Sequence, residues 1–208
     1  MEMTQDEGTR VYTDFYRRDA SKVFSARAVV LVEGVSDQLA LQALAERRGR
    51  NLETEGVSIV PIGGATNIRK ALDVFGPQGF DVRLAGLCDA GEEGDFGRAL
   101  ELAGLGWNLT RAKMERLGFF VCVADLEDEL VRALGAAAVE RVLDARGDLA
   151  SFRSFQKQLA WRGKTPEGQL RRFFGTQARR KIQSAALLVG ALDLAQVPRP
   201  LDGVLAHV

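Results

Sequence analysis

Between residues 28 and 135, short apolar runs alternate with stretches whose apolar positions recur every three or four residues. AVVLV (28–32), VSIVPI (57–62), VRLAGLC (82–88) and FFVCVA (119–124) are each short, nearly unbroken in apolar character and bounded by turn residues. That is the pattern of strands covered on both faces. Between them the period lengthens. Asp37 to Arg48 spaces Leu39, Leu41, Ala43, Leu44 and Ala45 for the apolar face of a helix, with Gly49 as its stop. Ile68–Phe75 reads as a second helix, ended by Gly76-Pro77, and Phe96–Ala103 as a third, after the acidic loop DAGEEGD (89–95). Thr110 is placed to cap a short helix to Leu117, closed by Gly118, and Leu126–Leu134 follows the fourth strand. Strand–helix alternation of this kind predicts βα units and a parallel sheet with helices on both faces.

After about residue 135 no strand-like run remains. Ala136–Ala145, Leu149–Leu159, Pro166–Phe174 and Thr176–Leu192 read as helices, and Thr165-Pro166-Glu167 supplies an N-cap, an N1 proline and a first-turn acid. The expected organisation is an N-terminal helix or arm (1–26), an α/β domain (27–135) with a Rossmann-like parallel four-stranded sheet flanked by helices, and a C-terminal helical extension (136–208).

Composition narrows the classes. The 208 residues are 46% apolar and 27% charged, a globular balance. The 28 basic and 28 acidic residues cancel, so global charge names no partner. Two cysteines, Cys88 and Cys122, sit in apolar runs, and the one histidine, His207, is next to last. A disulfide framework, a zinc site and histidine-based triad chemistry are therefore disfavoured, and a reducing cytoplasm fits. The polar N-terminus has no signal-peptide core, and no run reaches the roughly 18 apolar residues of a membrane span.

The acids change the picture. In an open parallel sheet, ligands sit beyond the carboxyl ends of the strands. Glu33 ends the first strand with Asp37 in the following turn, Asp89 ends the third, and Asp125 and Glu127 follow the fourth. Carboxylates crowded on one rim repel each other and take up protons. A hard divalent cation, Mg2+ or Mn2+, removes that repulsion, using a few carboxylates with waters and phosphate oxygens, and can then drive phosphoryl chemistry. The second strand ends instead in Gly63-Gly64, before Ala-Thr-Asn67. Glycines there allow close backbone approach, and the helix start beyond can receive an anion, so Gly63, Gly64 and Asn67 are candidate phosphate contacts. Against this stands the ordinary role of strand-end acids, which cap helices or meet solvent.

LVEGVSD (31–37), VPIGGATN (60–67) and LCDAGEE (87–93) resemble the successive motifs of a Toprim domain, shared by topoisomerases, bacterial primases, small recombination proteins and nucleases of the OLD (overcoming lysogenization defect) family. The glycine pair and DLEDEL (125–130) are most similar to the OLD type. The resemblance implies metal-dependent cleavage of nucleic acid. It implies Glu33 as metal ligand or general acid/base, Asp37 as a second-metal ligand, Asp89 as first aspartate of the DxD motif and Glu127 as the later ligand, with Asp125 beside it. It also implies a charge-stabilising lysine near the C-terminal end, matched by Lys181. Two departures matter. Gly91 stands where the second DxD aspartate belongs, leaving Glu92, Glu93 or Asp95 to substitute. No GxxxxGK[ST] is present, although OLD proteins usually carry an ATPase domain; a stand-alone Toprim, or one working with a separate ATPase, is expected.

From Arg153 to Lys181 there are nine Lys/Arg against one acid, Glu167, interleaved with Phe152, Phe155, Trp161, Phe173 and Phe174. Arg171, Arg172, Arg179 and Arg180 are candidate contacts to a nucleic-acid backbone, DNA in the first instance. The alternative is a solvated basic face over phenylalanines that pack the lobe down. Trp107 and Trp161 are expected as packing anchors. Three readings stay open: a metal-dependent DNA nuclease, a catalytically weakened Toprim that binds nucleic acid or nucleotide or regulates a partner ATPase, and a flavodoxin-like protein holding a small phosphorylated ligand.

Overall fold

The computed structural model describes residues 26–176 and 178–208, with side chains at 178 and 179 set aside; the expected N-terminal arm lies outside the described residues. Four strands, β1 (Ala28–Val32), β2 (Val57–Pro61), β3 (Arg83–Cys88) and β4 (Phe119–Val121), form one parallel sheet in the order β2-β1-β3-β4. Val32 pairs with Pro61 on one side and Leu87 on the other, and Cys88 pairs with Val121. This register brings the carboxyl ends of all four strands to one rim.

Successive strand residues face opposite sides, and the sheet has two cores. Val29 and Leu31 look toward α2 (Ile68–Phe75), α3 (Glu93–Leu102) and α4 (Arg111–Arg116). Ala28, Val30 and Val32 look toward α1 (Val35–Arg47) and the later helices: α5 (Leu126–Leu134), α6 (Ala136–Ala145), α7 (Leu149–Gln156), α8 (Pro166–Gly175), α9 (Ala178–Ala191) and α10 (Arg199–His207). Residue 135 marks where strands stop, but the apolar core runs through it: Val30 and Val32 share a cluster with Leu188, Val189, Leu201 and Val204. Arg47 donates from Nη1 to the carbonyls of Val189 and Leu192, both at 2.7 Å, and so fastens the end of α9 to α1.

The alternation read from the chain matches the strands to within a few residues, and α2, α5 and α6 fall at their expected bounds. Three differences have physical causes. The loop at 89–95 is mostly helix: a 3-10 turn at Ala90–Glu92 leads straight into α3 at Glu93, where first-turn acids suit the helix dipole. α10 was not expected; it starts on prolines and buries Leu201, Val204 and Leu205 against β3 and β4. Trp107 is 84% exposed and is no packing anchor, whereas Trp161 stacks on Phe155 with centroids 5.2 Å apart. Among the described residues no helix is long and apolar enough to cross a membrane.

Candidate functional site

Each acid reaches the rim from a different local structure. Glu33 is the first residue beyond β1, and its Oε1 accepts the main-chain N–H of Asp89 at 2.8 Å. Asp37 sits in the first turn of α1, where Oδ2 accepts the Gly34 N–H at 2.9 Å; the side chain caps its own helix and is only 6% exposed. Asp89 follows β3 directly. Glu127 lies in the first turn of α5 and is equally buried. Lys181 comes from the first turn of α9, and its Nζ lies 3.1 Å from Glu127 Oε2.

The electrostatics show that these groups share one neighbourhood. Burial pushes the Asp37 carboxyl up to about 6, with Glu127 and Glu33 adding repulsion against the pull of Lys181 and the Gly34 amide. Burial, then Glu33 and Asp37, push Asp89 up to about 8. Glu33 and Glu127 are raised as well, first by burial; the Asp89 amide opposes it at Glu33 and Lys181 opposes it at Glu127. Burial works against the charge of Lys181 but is outweighed by Glu127, Asp37 and Asp89, which hold the ammonium above its ordinary range. Lys181 thus acts on all four acids, and one cation does not neutralise them.

The structure does not bring every expected residue to this point. Asp125 has both oxygens engaged: Oδ1 caps α5 through the Asp128 N–H at 2.8 Å, and Oδ2 pairs with Arg171 Nε at 2.7 Å. That bond ties together an expected metal ligand and an expected phosphate contact. Arg172 lies over the Trp161 ring, and Arg180 lies over Phe173 and donates to Thr176 Oγ1 at 2.6 Å. The side chain of Arg179 lies outside the described residues. The Gly63 and Gly64 amides and the Asn67 side chain all bond to main-chain carbonyls. Of the three candidates to replace the missing DxD aspartate, Glu93 pairs with Arg111 and Asp95 with Arg98, leaving Glu92 as the group that repels Glu33. Glu129 was not singled out from the sequence. It is buried two residues beyond Glu127 and accepts the Val123 N–H at 2.6 Å, fixing the chain beyond β4; only its spacing from Glu127 in DLEDEL hinted at a second role.

Among the described residues, no three acidic, histidine or cysteine side chains approach closely enough to form a metal cage. The all-oxygen donor set and its unrelieved repulsion fit a hard cation held by a few carboxylates and completed by water and substrate oxygens.

A sequence model of the family "Overcoming lysogenization defect protein-like, TOPRIM domain" matches residues 24–90. Residues 24–90 thus resemble an OLD-like Toprim domain. The match spans β1 to Ala90 and so includes Glu33, Asp37, the glycine loop and Asp89. The fold extends the likeness. The C-terminal region of the Xanthomonas campestris pv. campestris OLD protein superposes with a TM-score of 0.70 at 23% identity, over 90% of this chain and 94% of that one. The C-terminal region of the Burkholderia pseudomallei OLD protein gives 0.66 at 22% identity, over 88% and 96%. No curated protein matches the chain. The OLD-like Toprim family is associated with metal-dependent cleavage of nucleic acid.

Proposed function

We propose that this chain is a divalent-metal-dependent nuclease that hydrolyses phosphodiester bonds, with DNA as substrate. The carrying observation is that separate elements bring Glu33, Asp37, Asp89 and Glu127 to the carboxyl rim of the sheet, where the Asp89 N–H meets Glu33 Oε1 at 2.8 Å and Lys181 Nζ lies 3.1 Å from Glu127. In this reading Asp37, Asp89 and Glu127 are the carboxylates that a cation would draw in as it binds, with water and phosphate oxygens completing its shell, and Glu33 shares it or moves a proton. A bound Mg2+ or Mn2+ would polarise the phosphoryl oxygens and steady the leaving oxygen. Lys181 stabilises the extra negative charge of the phosphorane-like transition state. Glu33 suits proton transfer by its place at the rim, where burial holds its carboxyl above the ordinary range. Arg171 and Arg172, on the exposed side of α8, extend the contact to flanking phosphates.

Gly91 supports a second reading, a Toprim that binds nucleic acid or nucleotide without cutting, or regulates a separate ATPase. It stands at the second DxD position, is exposed and has no neighbour within 4 Å of where a Cβ would lie. Supercoiled plasmid incubated with Mg2+ or Mn2+ separates the two. Nicking by the wild type that is lost in Glu33→Ala and Asp89→Ala supports the nuclease. A mobility shift without nicking supports the binding module, and no metal-dependent effect removes both.

A further inference from the structure

Building on the nuclease reading, we infer that Gly63, Gly64 and Asn67 are positioning residues that hold Glu33, and not a cradle for phosphate. Glu33 lies one residue past the end of β1, where the regular ladder stops. The chain after β2 takes over from the ladder. The Ile62 N–H donates to the Val32 carbonyl at 2.8 Å, and the N–H groups of Gly63 and Gly64 both donate to the Glu33 carbonyl at 3.1 Å each.

Two successive amides can converge on one oxygen only if the chain curls. It does so at φ 73° in Gly63 and φ 110°, ψ 149° in Gly64, backbone states that side chains disfavour. Space is not the reason for glycine, because a Cβ on Gly64 would meet nothing within 4 Å and one on Gly63 only the Asn67 amide at 3.7 Å. Asn67 fastens the curl: its backbone N–H donates to the Gly64 carbonyl at 3.0 Å, and Nδ2 donates to the carbonyls of Ile62 at 3.0 Å and Gly63 at 3.3 Å.

On the opposite flank the Asp89 amide holds the Glu33 carboxylate itself. The glutamate is thus gripped by main-chain donors from both neighbouring strands, its carbonyl from the β2 side and its side chain from the β3 side. A phosphate cradle needs amide groups aimed at the ligand. Here the glycine amides are aimed at Glu33 and the asparagine amide at the loop.

The Asp89 amide is a built-in reporter of where the Glu33 carboxylate lies, and it can be read by NMR without metal or substrate. Asn67→Leu keeps the side chain's size and removes its donor without adding charge; Gly64→Ala strains the curl. In both, hydrogen-exchange protection of the Asp89 amide is expected to fall about tenfold, the size of one lost hydrogen bond. Metal-free DNA affinity should stay within twofold of the wild type, Mn2+ affinity should drop, and any nicking should slow through kcat at unchanged KM. An unmoved Asp89 amide with weakened metal-free DNA binding would overturn the inference and restore the phosphate cradle. If Gly64→Ala does not fold, Asn67→Leu decides alone. A wild type that cuts nothing would remove the nuclease reading while the amide still reports on positioning.

Discussion

In the α/β half, residues 26–134, three of the candidate acids are held by main-chain N–H groups; in the helical half, residues 136–208, Lys181 is placed by packing. Glu33, Asp37 and Asp125 each accept a backbone N–H from Asp89, Gly34 and Asp128. Their positions follow from sheet register and helix starts, which are local. Lys181 has no such anchor. It reaches the rim because α9 lies against α1 through Leu188 and Val189 and is tied at its far end by Arg47. The negative side of the site is built in with the sheet, and the positive side is delivered by tertiary structure, so the two should fail in different ways.

Removing the delivered charge has the largest expected effect. Lys181→Ala should cut nicking by about 10²–10³-fold, the scale for losing one preorganised charge-stabilising group, with DNA binding far less affected. A loss of less than tenfold would place transition-state stabilisation elsewhere. Leu188→Ala attacks delivery from a distance. Leu188 is fully buried, and such truncations cost about 2–5 kcal/mol. Because one core spans both halves, calorimetry should show one transition shifted down. Two separate transitions would mean that the halves fold independently. Arg47→Ala leaves the core intact and removes the side-chain donor from both carbonyls, leaving that of Val189 with the Leu192 N–H. A loss of about 1–3 kcal/mol is expected, together with slower nicking although the residue lies outside the site.

How far the site could be read from the chain follows the same division. β1 and β3 announce themselves as apolar runs, and the acids at their ends lie on the rim by alternation alone. The first-turn positions of Asp37 and Glu127 follow from helix starts visible in the sequence. The uses of Gly63, Gly64 and Asn67 were hidden because their partner, Glu33, is some thirty positions away in the chain. α10 was hidden by Pro198, Pro200 and Gly203, which read locally as a tail. Its glycine makes sense only beside β4, where a Cβ at 203 would stand 2.2 Å from the Phe120 ring. Likewise the DAGEEGD stretch looks like a loop until the dipole of α3 gives its acids a reason to start a helix.

Without metal, the crowded acids should make the fold pH-sensitive in an uncommon direction. Asp37 and Asp89 titrate higher in the folded chain than in the unfolded one, at about 6 and about 8 against 3.8. Their contribution is therefore most favourable below about pH 4 and is lost as pH rises through those values. Lys181 stays charged across this range and does not offset the trend. Thermal stability should decline between pH 5 and 9 by at most about 5 kcal/mol, at about 1.36 kcal/mol per pH unit and less where water screens Asp89, and millimolar Mn2+ should recover most of it at the alkaline end. A flat profile, or no recovery with Mn2+, would mean that the acids are less crowded than their placement implies.

The smallest effect sets the two tryptophans against each other, one from each half. Trp161 is half-buried between Phe155 and Arg172, so Trp161→Ala should cost about 1–2 kcal/mol. Trp107 is held out on a loop whose backbone is pinned without it. Lys113 Nζ bonds the carbonyls of Trp107 and Asn108 at 3.1 and 2.9 Å, and Glu101 takes the Leu109 N–H at 2.7 Å. Its indole therefore adds little to the fold, and Trp107→Ala should leave the free energy of unfolding unchanged within about 0.5 kcal/mol. A loss above 1 kcal/mol would show the ring packing on the α/β half after all. An unchanged fold would mean that, in that half, polar side chains bonded to the main chain hold a loop that in the helical half would be held by aromatic packing.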